Sequence, residues 1–599
     1  MREERWNYPH EIKRRLHDST DPNHGAGPIL YVENGRKYSD SSEAHIALIG
    51  QTGMGKSQCG SLSFLRDILL NNESAVAVDP KGELFQKMWC FVPEHYQKFC
   101  IDFRSPRHSF TSWNPLTVPY TLWKSQNLDD NDVAASMISE FWEAVYPETM
   151  NKEFFWTAAS RNFMRGLTYS IYETASGEYV NLDSISSMMH SAEKRYAVST
   201  VLRTFYETLP SDSLAKRCLS TYCNAARDTA ASIFSTSASQ FEMFSRSKGL
   251  MELLRTDTLN LLDLDVNQPF IIFIVIPDET NTYDALAGTL VSQIVQHLIR
   301  VAQGLGKLRL PSRCNVILEE LGSVGRSIPS LPNLMVAGRS RNIRIMLVLQ
   351  SYAQLFDVYQ KSKAETIISC IGITIGFSTN SWDTLTEWSQ RCGERHIEIN
   401  GHLAKESLIT PSQIAAMPVG TALILINNRY KFVSRIPLFD ELYDNSAWKA
   451  PNQKPIKIHT LSKVLDFEAH LAQIKQQQMH ALSNTGPRMP STSVQSQRVT
   501  TENIEDVLAD IQKNYAALKK QEKETKVNMA RIIITSDNGN TSRIAAAIST
   551  VTGFRVDNIE KALEKKPFEL LLPSKKLAKS ILKEVIAVGG TGTIKDCSD

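Results

Sequence analysis

The segment GQTGMGKS at residues 50–57 constrains the fold of this chain more than any other stretch. It follows an apolar run at 45–49 and precedes SLSFLRDILL, so the order is strand, glycine-rich loop and helix. This is the P-loop pattern G-x-x-x-x-G-K-S in the context that it requires. Gly50, Gly53 and Gly55 let successive backbone N–H groups point inward and bind phosphate oxygens, aided by the helix N-terminus. The segment therefore predicts an α/β fold with a nucleoside triphosphate site.

Two side chains of the P-loop have defined chemical tasks. Lys56 would reach the β- and γ-phosphates, and Ser57 would ligate Mg²⁺. The residues that we expect to contact the nucleotide are Gly50, Gln51, Thr52, Gly53, Met54, Gly55, Lys56, Ser57 and Gln58.

A second segment, SAVAVDPKGELF at 74–85, predicts a strand that ends at Asp79, then a turn and a new helix. In open parallel sheets the ligand lies beyond the carboxyl ends of the strands. Asp79 and Lys81 would follow such an end, close to the P-loop. We therefore add both residues to the expected nucleotide contacts.

Composition narrows the cellular setting. At 599 residues the chain is long enough for three or four domains, and the formal net charge of +2 requires any nucleic-acid contact to come from local basic faces. Nine cysteines without a C-x-x-C pair argue for a reducing compartment and against a disulfide framework or a zinc site. The longest wholly apolar run, residues 270–276, is too short to cross a bilayer. We expect a soluble, cytoplasmic chain.

The order GQTGMGKS, VAVDPKGELF and SWNPL resembles the type IV secretion coupling proteins, the TraG/TraD-like ATPases of conjugation, which group with the FtsK and HerA DNA pumps. This resemblance implies a RecA-like P-loop core interrupted by an all-helical domain, with ATP and Mg²⁺ as cofactors. It also implies a hexameric ring that moves single-stranded DNA with its attached relaxase toward a secretion channel, although the chain could be a monomer or dimer without DNA. The implied partners include relaxosome accessory proteins, channel ATPases and membrane subunits.

Residues 128–258 show helical rather than strand periodicity, which predicts an inserted all-α domain. On the segment 154–173, Phe155, Ala159, Phe163 and Leu167 fall on one helical face. The aromatic residues of this region could stack on bases. Core packing is the favoured interpretation because they share helical spacing with aliphatic residues.

The sheet is predicted to resume at 268–277, and VIL at 316–318 predicts a short buried strand that ends in Glu319 and Glu320. A P-loop enzyme needs one carboxylate for the Mg²⁺ shell and a neighbour that orients or deprotonates the attacking water. Glu319 takes the first place and Glu320 the second. The family pattern has Asp-Glu here, so a longer glutamate would have to act through Mg²⁺-bound water. The alternative is two acids that cap an edge strand.

The run GRSRNIRIMLVLQ ends a further strand at Gln350. In the family a glutamine at this place senses the γ-phosphate, and an upstream arginine reaches the neighbouring subunit's site as an arginine finger. The resemblance assigns these roles to Gln350 and Arg339, with Arg341 as the alternative finger. A solvated basic face is the other interpretation of each arginine.

The domain prediction is an N-terminal arm at 1–43, a RecA-like core at 44–127 and 259–445, and a linker with an amphipathic helix at 446–528. A separate α+β domain at 529–599 has the order β-α-α-β-α-β and resembles the C-terminal domain of the ribosomal stalk protein, a docking module on a flexible tether. We expect it to recruit a relaxase, an accessory factor or a channel subunit, the alternative being a passive domain.

Most relatives carry a transmembrane anchor before the P-loop, where this sequence has only 43 residues of soluble character. We therefore expect attachment to the cytoplasmic face of the plasma membrane through a partner, unless an anchor has been removed. Three functions stay open: a single-stranded DNA motor, an ATP-gated receptor for secreted proteins, and a double-stranded DNA translocase.

Overall fold

The computed structural model describes residues 4–21, 24–125, 127–147, 154–197, 199–280, 282–324, 328–399, 402–451 and 462–484, and parts of 530–596. It divides into two units, Met1–Gly486 and Pro487–Asp599, which we describe separately.

The strands of the first unit are β1 His17–Asp18, β2 Ile29–Glu33, β3 Arg36–Ser39, β4 His45–Ile49, β5 Ser74–Asp79, β6 Gln97–Asp102, β7 Arg195–Tyr196, β8 Ser199–Thr200, β9 Phe270–Val275, β10 Cys314–Leu318, β11 Ile343–Leu349, β12 Ile371–Gly376, β13 Glu394–Ile399, β14 His402–Ser407, β15 Thr421–Ile426 and β16 Tyr430–Arg435.

Its helices are α1 Pro9–Arg15, α2 Leu62–Leu70, α3 Glu83–Met88, α4 Thr117–Lys124, α5 Leu128–Val145, α6 Phe154–Thr174, α7 Leu182–Ala192, α8 Val201–Thr208, α9 Leu214–Cys223, α10 Arg227–Ser245, α11 Lys248–Arg255, α12 Asp284–Gly304, α13 Leu321–Val324, α14 Leu331–Arg339, α15 Ala353–Val358, α16 Lys361–Cys370, α17 Trp382–Cys392, α18 Pro411–Ala415, α19 Phe439–Leu442 and α20 Phe467–Asn484.

Nine strands form the central sheet in the order β16-β15-β12-β4-β11-β10-β5-β9-β6. The seven strands from β12 to β6 are parallel, and β15 and β16 close one edge as an antiparallel hairpin. The parallel strands β4, β5, β9, β10 and β11 are buried along their whole length, as continuous apolar runs predict for a sheet covered on both faces. The predicted α/β class is confirmed.

The turn between β15 and β16 contains two adjacent asparagines, which favour a tight hairpin turn. Asn427 and Asn428 have φ angles of 49° and 53°, which is the left-handed geometry of a type I′ turn. The sequence analysis did not anticipate a second hairpin, β13-β14, which follows helix α17.

The predicted N-terminal arm packs on the core. Its strands form a small sheet in the order β1-β3-β2. The guanidinium of Arg344, buried in β11, donates hydrogen bonds to the carbonyl oxygens of Ala26 at 2.8 Å and Ser42 at 3.0 Å. A buried charge therefore fastens the arm to the sheet.

Helix α12 follows β9 across one face of the sheet. Among the described residues it is the one helix with the length and hydropathy of a membrane span, with 78% of the relevant window buried inside the protein. Its amide Gln293 donates to the carbonyl oxygen of Pro115 at 2.9 Å, and its Gln296 donates to Glu140 of α5 at 2.7 Å. It therefore lies between the sheet and the segment predicted as an insertion.

The segment 128–258 is built of helices α5 to α11 together with the two-residue pair β7-β8, which the prediction of an all-α insertion missed. Ala159, Phe163 and Leu167 are buried as predicted. Phe155 is 53% exposed, which corrects its predicted place in the core, because it lies in the first turn of α6, before the packed part of the helix begins.

The prediction of a continuous linker over 446–528 is wrong for residues 463–484. Helix α20 packs on α7 and α8, and Leu465, Phe467 and Leu471 are at most 4% exposed. The backbone N–H of Leu465 donates to Ser184 Oγ at 3.0 Å, and Asn181 Nδ2 donates to the carbonyl oxygen of Lys463 at 2.9 Å. The composition of this stretch is polar, but its few apolar residues are spaced to meet one helical surface. The predicted helix at 501–526 lies outside the described residues.

The second unit contains β17 Ala530–Ser536, β18 Phe568–Leu572 and β19 Thr591–Asp596. The central strand β17 pairs antiparallel with both others. Buried residues between the strands are helical, and they include Ile544, Ile548 and Leu563. The predicted strands are confirmed, while the resemblance to the ribosomal stalk domain stays a prediction.

Phe467→Ala is expected to destabilise the first unit by about 3–5 kcal/mol, because it removes a fully buried ring that lies 5.1 Å from the Phe205 ring. Chemical unfolding and hydrogen exchange of α7 and α8 measure the effect. Met479→Ala, on the same helix and 65% exposed, is the control and should change stability by less than about 0.5 kcal/mol. Equal effects of the two substitutions would contradict the packing of α20.

Candidate nucleotide site

The P-loop connects β4 to helix α2 through a π-helical turn, Lys56–Ser61. Gly53 and Gly55 have φ angles of 85° and 92°, which side chains with a Cβ rarely adopt. The N–H of Gly50 donates to the carbonyl oxygen of Leu349 at 3.1 Å, and that of Gln51 donates to Ser378 at 2.9 Å. The start of the loop is therefore hydrogen-bonded to the last residue of β11 and to the segment that follows β12.

Lys56 folds back over the start of this loop. Its Nζ donates to the carbonyl oxygens of Gly50 at 2.6 Å and Gln51 at 3.1 Å. Burial lowers the pKa of Lys56, and the neighbouring carboxylates of Glu319 and Glu320 oppose this shift. The ammonium group thus lies between the loop and the predicted acid pair.

Glu319 follows β10 directly and is 6% exposed. Burial raises the pKa of its carboxyl group to about 7, the nearby Ser61 hydroxyl and Lys56 oppose the shift, and Asp79 adds to it. Its Oε1 is buried with no hydrogen-bond partner in the described part of the chain. An unpartnered buried oxygen of this kind fits a bound cation or its water, so Glu319 is suited to hold Mg²⁺, and the predicted ligand role of Ser57 stays a prediction.

Glu320 differs from Glu319 in its surroundings. Its φ angle of 51° is left-handed, and its half-exposed carboxylate pairs with Lys81 Nζ at 3.2 Å. The two adjacent acids therefore point into different environments, one buried and one open to solvent. Lys81 meets the acid pair rather than the loop itself.

Asp79 and Gln58, both predicted nucleotide contacts, have side chains that bond to helix α3. Asp79 is 2% exposed, and its Oδ2 accepts the N–H of Phe85 at 2.9 Å, which caps helix α3. Burial raises the pKa of Asp79 to about 6. The side chain of Gln58 donates to Glu83 of the same helix at 2.5 Å. Both side chains therefore contact helix α3, and their contact with a nucleotide stays a prediction.

A cavity of about 610 Å³ adjoins these groups, within the range of small-molecule sites. Lys56, Glu320 and Gln350 line one side. Residues of the helical segment line another, namely Ala144, Val145, Pro147, Gln240 and Met243. The cavity is therefore bounded by both the sheet and the helical segment.

Gln350 leaves the end of β11 with an exposed side chain, as its predicted role requires. Arg339 ends helix α14, before β11 begins, and is exposed. The strand β11 has seven residues and is roughly 20 Å long. Arg339 precedes its first residue, whereas the P-loop follows the last residue of β4, so the two lie at opposite ends of the parallel strands. Arg341 donates to the carbonyl oxygen of Ala337 at 2.8 Å, which commits its guanidinium to the end of α14.

Comparison with known proteins decides the family. The profile of the family described as Type IV secretory system Conjugative DNA transfer matches residues 6–454, well over half of the chain. The chain belongs to this family. The resemblance inferred from the motifs is confirmed for this region.

Two solved coupling-protein structures are similar in fold to this chain. The plasmid coupling protein TrwB in complex with ADP and Mg²⁺ matches with a TM-score of 0.55 at 19% identity, over 75% of this chain and 97% of that one. The unbound bacterial coupling protein TrwBdeltaN70 matches with a TM-score of 0.53 at 19% identity, over 73% of this chain and 93% of that one. No curated protein sequence matches significantly. The RecA-like core is confirmed.

Asp284 and Gln354 are among the cavity residues that the sequence analysis missed. Asp284, in the first turn of α12, has a buried Oδ2 without a hydrogen-bond partner in the described chain, and burial raises its pKa to about 6. Gln354 lies in helix α15. Neither belongs to a spaced motif. The sequence offers one indication of Asp284, which is that it follows the strand at 270–275 after an exposed turn.

Glu319→Gln is expected to stabilise the magnesium-free protein increasingly as pH rises from about 4.5 to 7. Because the folded pKa of Glu319 is raised to about 7, the folded state retains a proton in this window that the unfolded state has lost. Stability of the wild type therefore falls with pH here, by up to about 3 kcal/mol from this group, and the glutamine variant escapes that loss.

Urea unfolding at pH 5 and pH 7.5 in a chelator measures this difference. Glu365→Gln, with a side chain that is 58% exposed, is the control and should show the same difference from wild type at both pH values. A Glu319→Gln effect that is independent of pH would contradict the buried, protonated carboxyl group.

Proposed function

We propose that this chain is an ATP-driven coupling protein that recruits relaxase-bound single-stranded DNA and moves it toward a type IV secretion channel. The observation that carries the proposal is the convergence of Lys56 and the buried carboxyl of Glu319 at the end of the sheet, in a member of the conjugative DNA transfer family. The solved relatives with bound ADP and Mg²⁺ support the choice of nucleotide and metal.

Each residue of the site has a task in hydrolysis. The loop amides and Lys56 bind the phosphates, and Ser57 and Glu319 would hold the cation. Mg²⁺, when bound, neutralises phosphate charge and favours ionised Glu319. Glu320 orients or deprotonates the attacking water, which requires its pairing with Lys81 to loosen. Gln350 faces the γ-phosphate from the end of β11.

The opposite placement of Arg339 supports a ring. An arginine at the opposite end of the strands cannot stabilise transition-state charge at the P-loop of its own chain, but it can reach the P-loop of a head-to-tail neighbour. We therefore propose a homo-hexamer in which Arg339 of one subunit completes the site of the next. The partners are the relaxosome and the secretion channel, and the ring is placed at the cytoplasmic face of the plasma membrane through another subunit.

Lys56→Ala is expected to reduce ATP hydrolysis by at least 100-fold, because the phosphates lose their bound ammonium group. Steady-state rates are measured with single-stranded DNA, double-stranded DNA and no DNA, and oligomer size is recorded in parallel. Lys307→Ala, at an exposed loop position, is the control. Stimulation by single strands supports the proposal, stimulation by duplex alone favours a double-stranded DNA translocase, and stimulation by a secreted protein alone favours a receptor. Unaltered turnover in Lys56→Ala would refute the site.

Arg339→Ala and Lys56→Ala chains, each nearly inactive alone, should recover activity when mixed. Random assembly at equal amounts gives about one quarter of the interfaces an intact P-loop beside an intact arginine, so roughly a quarter of the wild-type rate returns. Continuous ATPase assays after mixing measure the recovery. No recovery, or full activity of Arg339→Ala alone, would exclude a shared site with Arg339.

A further inference from the structure

The backbone of Gln350 is held from both sides. Its N–H donates to the side-chain oxygen Oε1 of Gln354 at 2.8 Å. Its carbonyl oxygen accepts the hydroxyl of Thr379 at 2.8 Å. The Gln350 side chain is left exposed and lines the cavity beside Lys56 and Glu320. Gln354 therefore helps to set where the predicted γ-phosphate sensor points.

The same glutamine contacts the turn that carries the acid pair. Gly322 lies two residues after Glu320, and a Cβ at position 322 would lie 2.6 Å from Nε2 and 2.9 Å from Cδ of Gln354. These distances are shorter than real Cβ contacts, so the side-chain amide rests directly against the glycine backbone. Gly322 and Gln354 also line the cavity.

The backbone ladder of β10 and β11 does not extend to these residues. The ladder between β10 and β11 ends at the pair Leu318 and Leu347. Glu319, Glu320 and Gln350 all lie beyond that pair. Helix α15 is fixed by Tyr352 and Leu355, which are 2% and 1% exposed, so the backbone that carries Gln354 is held in the core.

We propose that Gln354 is a positioning residue that couples the γ-phosphate sensor Gln350 to the turn of the catalytic acids. One end of its amide holds the Gln350 backbone and the other packs on Gly322, so a shift of either strand end is passed to the other. Gln354 touches neither nucleotide nor water in this scheme. The inference rests on the proposed ATPase function, and it adds a regulation of that site.

A double-mutant cycle tests this link in the full chain. The variants are Gln354→Met, Gln354→Ala, Gly322→Ala and Gly322→Ala combined with Gln354→Ala, with Asp357→Ala as an exposed control on the same helix. The measurements are kcat and KM for MgATP with and without single-stranded DNA, the Kd of a fluorescent ATP analogue, and thermal unfolding of each variant.

Gln354→Met retains the packing but loses the acceptor oxygen, and it should lower kcat about 10-fold with KM and Kd changed less than about 2-fold. Gly322→Ala should lower kcat at least as much, because the new methyl group displaces the amide. The double variant should be no slower than Gln354→Ala alone, since the clash has been removed. Asp357→Ala should match the wild type.

Additive losses in the double variant, losses confined to KM, or wild-type kcat in Gln354→Met would each overturn the coupling role. The outcomes also separate the two proposals. Suppose that the wild type hydrolyses ATP and Lys56→Ala does not. Wild-type kcat in the Gln354 variants would then overturn this inference and leave the proposed function standing. If the wild type and Lys56→Ala hydrolyse ATP equally, the proposed function fails, and the positioning role fails with it.

Discussion

Four parallel strands, β4, β11, β10 and β5, end near one level, and the candidate site consists of the residues that follow them. The pairing of Ile49 with Leu349 and of Leu318 with both Leu347 and Val78 sets this level. The backbone hydrogen bonds of the sheet thus bring Lys56 of the P-loop, Glu320 and Gln350 to one cavity. A one-residue slip of any of these strands would turn its buried residues toward the opposite face and misplace the group at its end.

The helical segment is part of this arrangement and not an appendage. It lines the cavity opposite the sheet, and its Glu140 accepts hydrogen bonds from Ser292 at 2.8 Å and Gln296 at 2.7 Å of the core helix α12. A partly buried hydrogen-bond network of this kind resists sliding between the two helices. Helix α20 adds a second tie, because it returns from the core to complete the packing of α7 and α8.

Environment gives the two adjacent glutamates different properties. Burial favours the protonated form of Glu319 until a cation is present, whereas Glu320 is half exposed and pairs with Lys81. A glutamate in the place of the family aspartate is longer by one methylene, and Glu319 is only 6% exposed, so the longer side chain is accommodated inside the protein. In the proposed mechanism, metal binding and water activation are thus separated by solvent access and not by residue type.

The sequence by itself determined the P-loop, the strand ends at Glu319 and Gln350, and the family, because each is a local pattern of residue types whose geometry follows from a few neighbouring φ and ψ angles. Tertiary structure alone decided that residues 463–484 pack as a helix and that Gln354 meets Gly322. These features are contacts between segments tens to hundreds of residues apart. No periodicity or spacing records such contacts, since their free energy comes from surfaces that meet only after the sheet has formed.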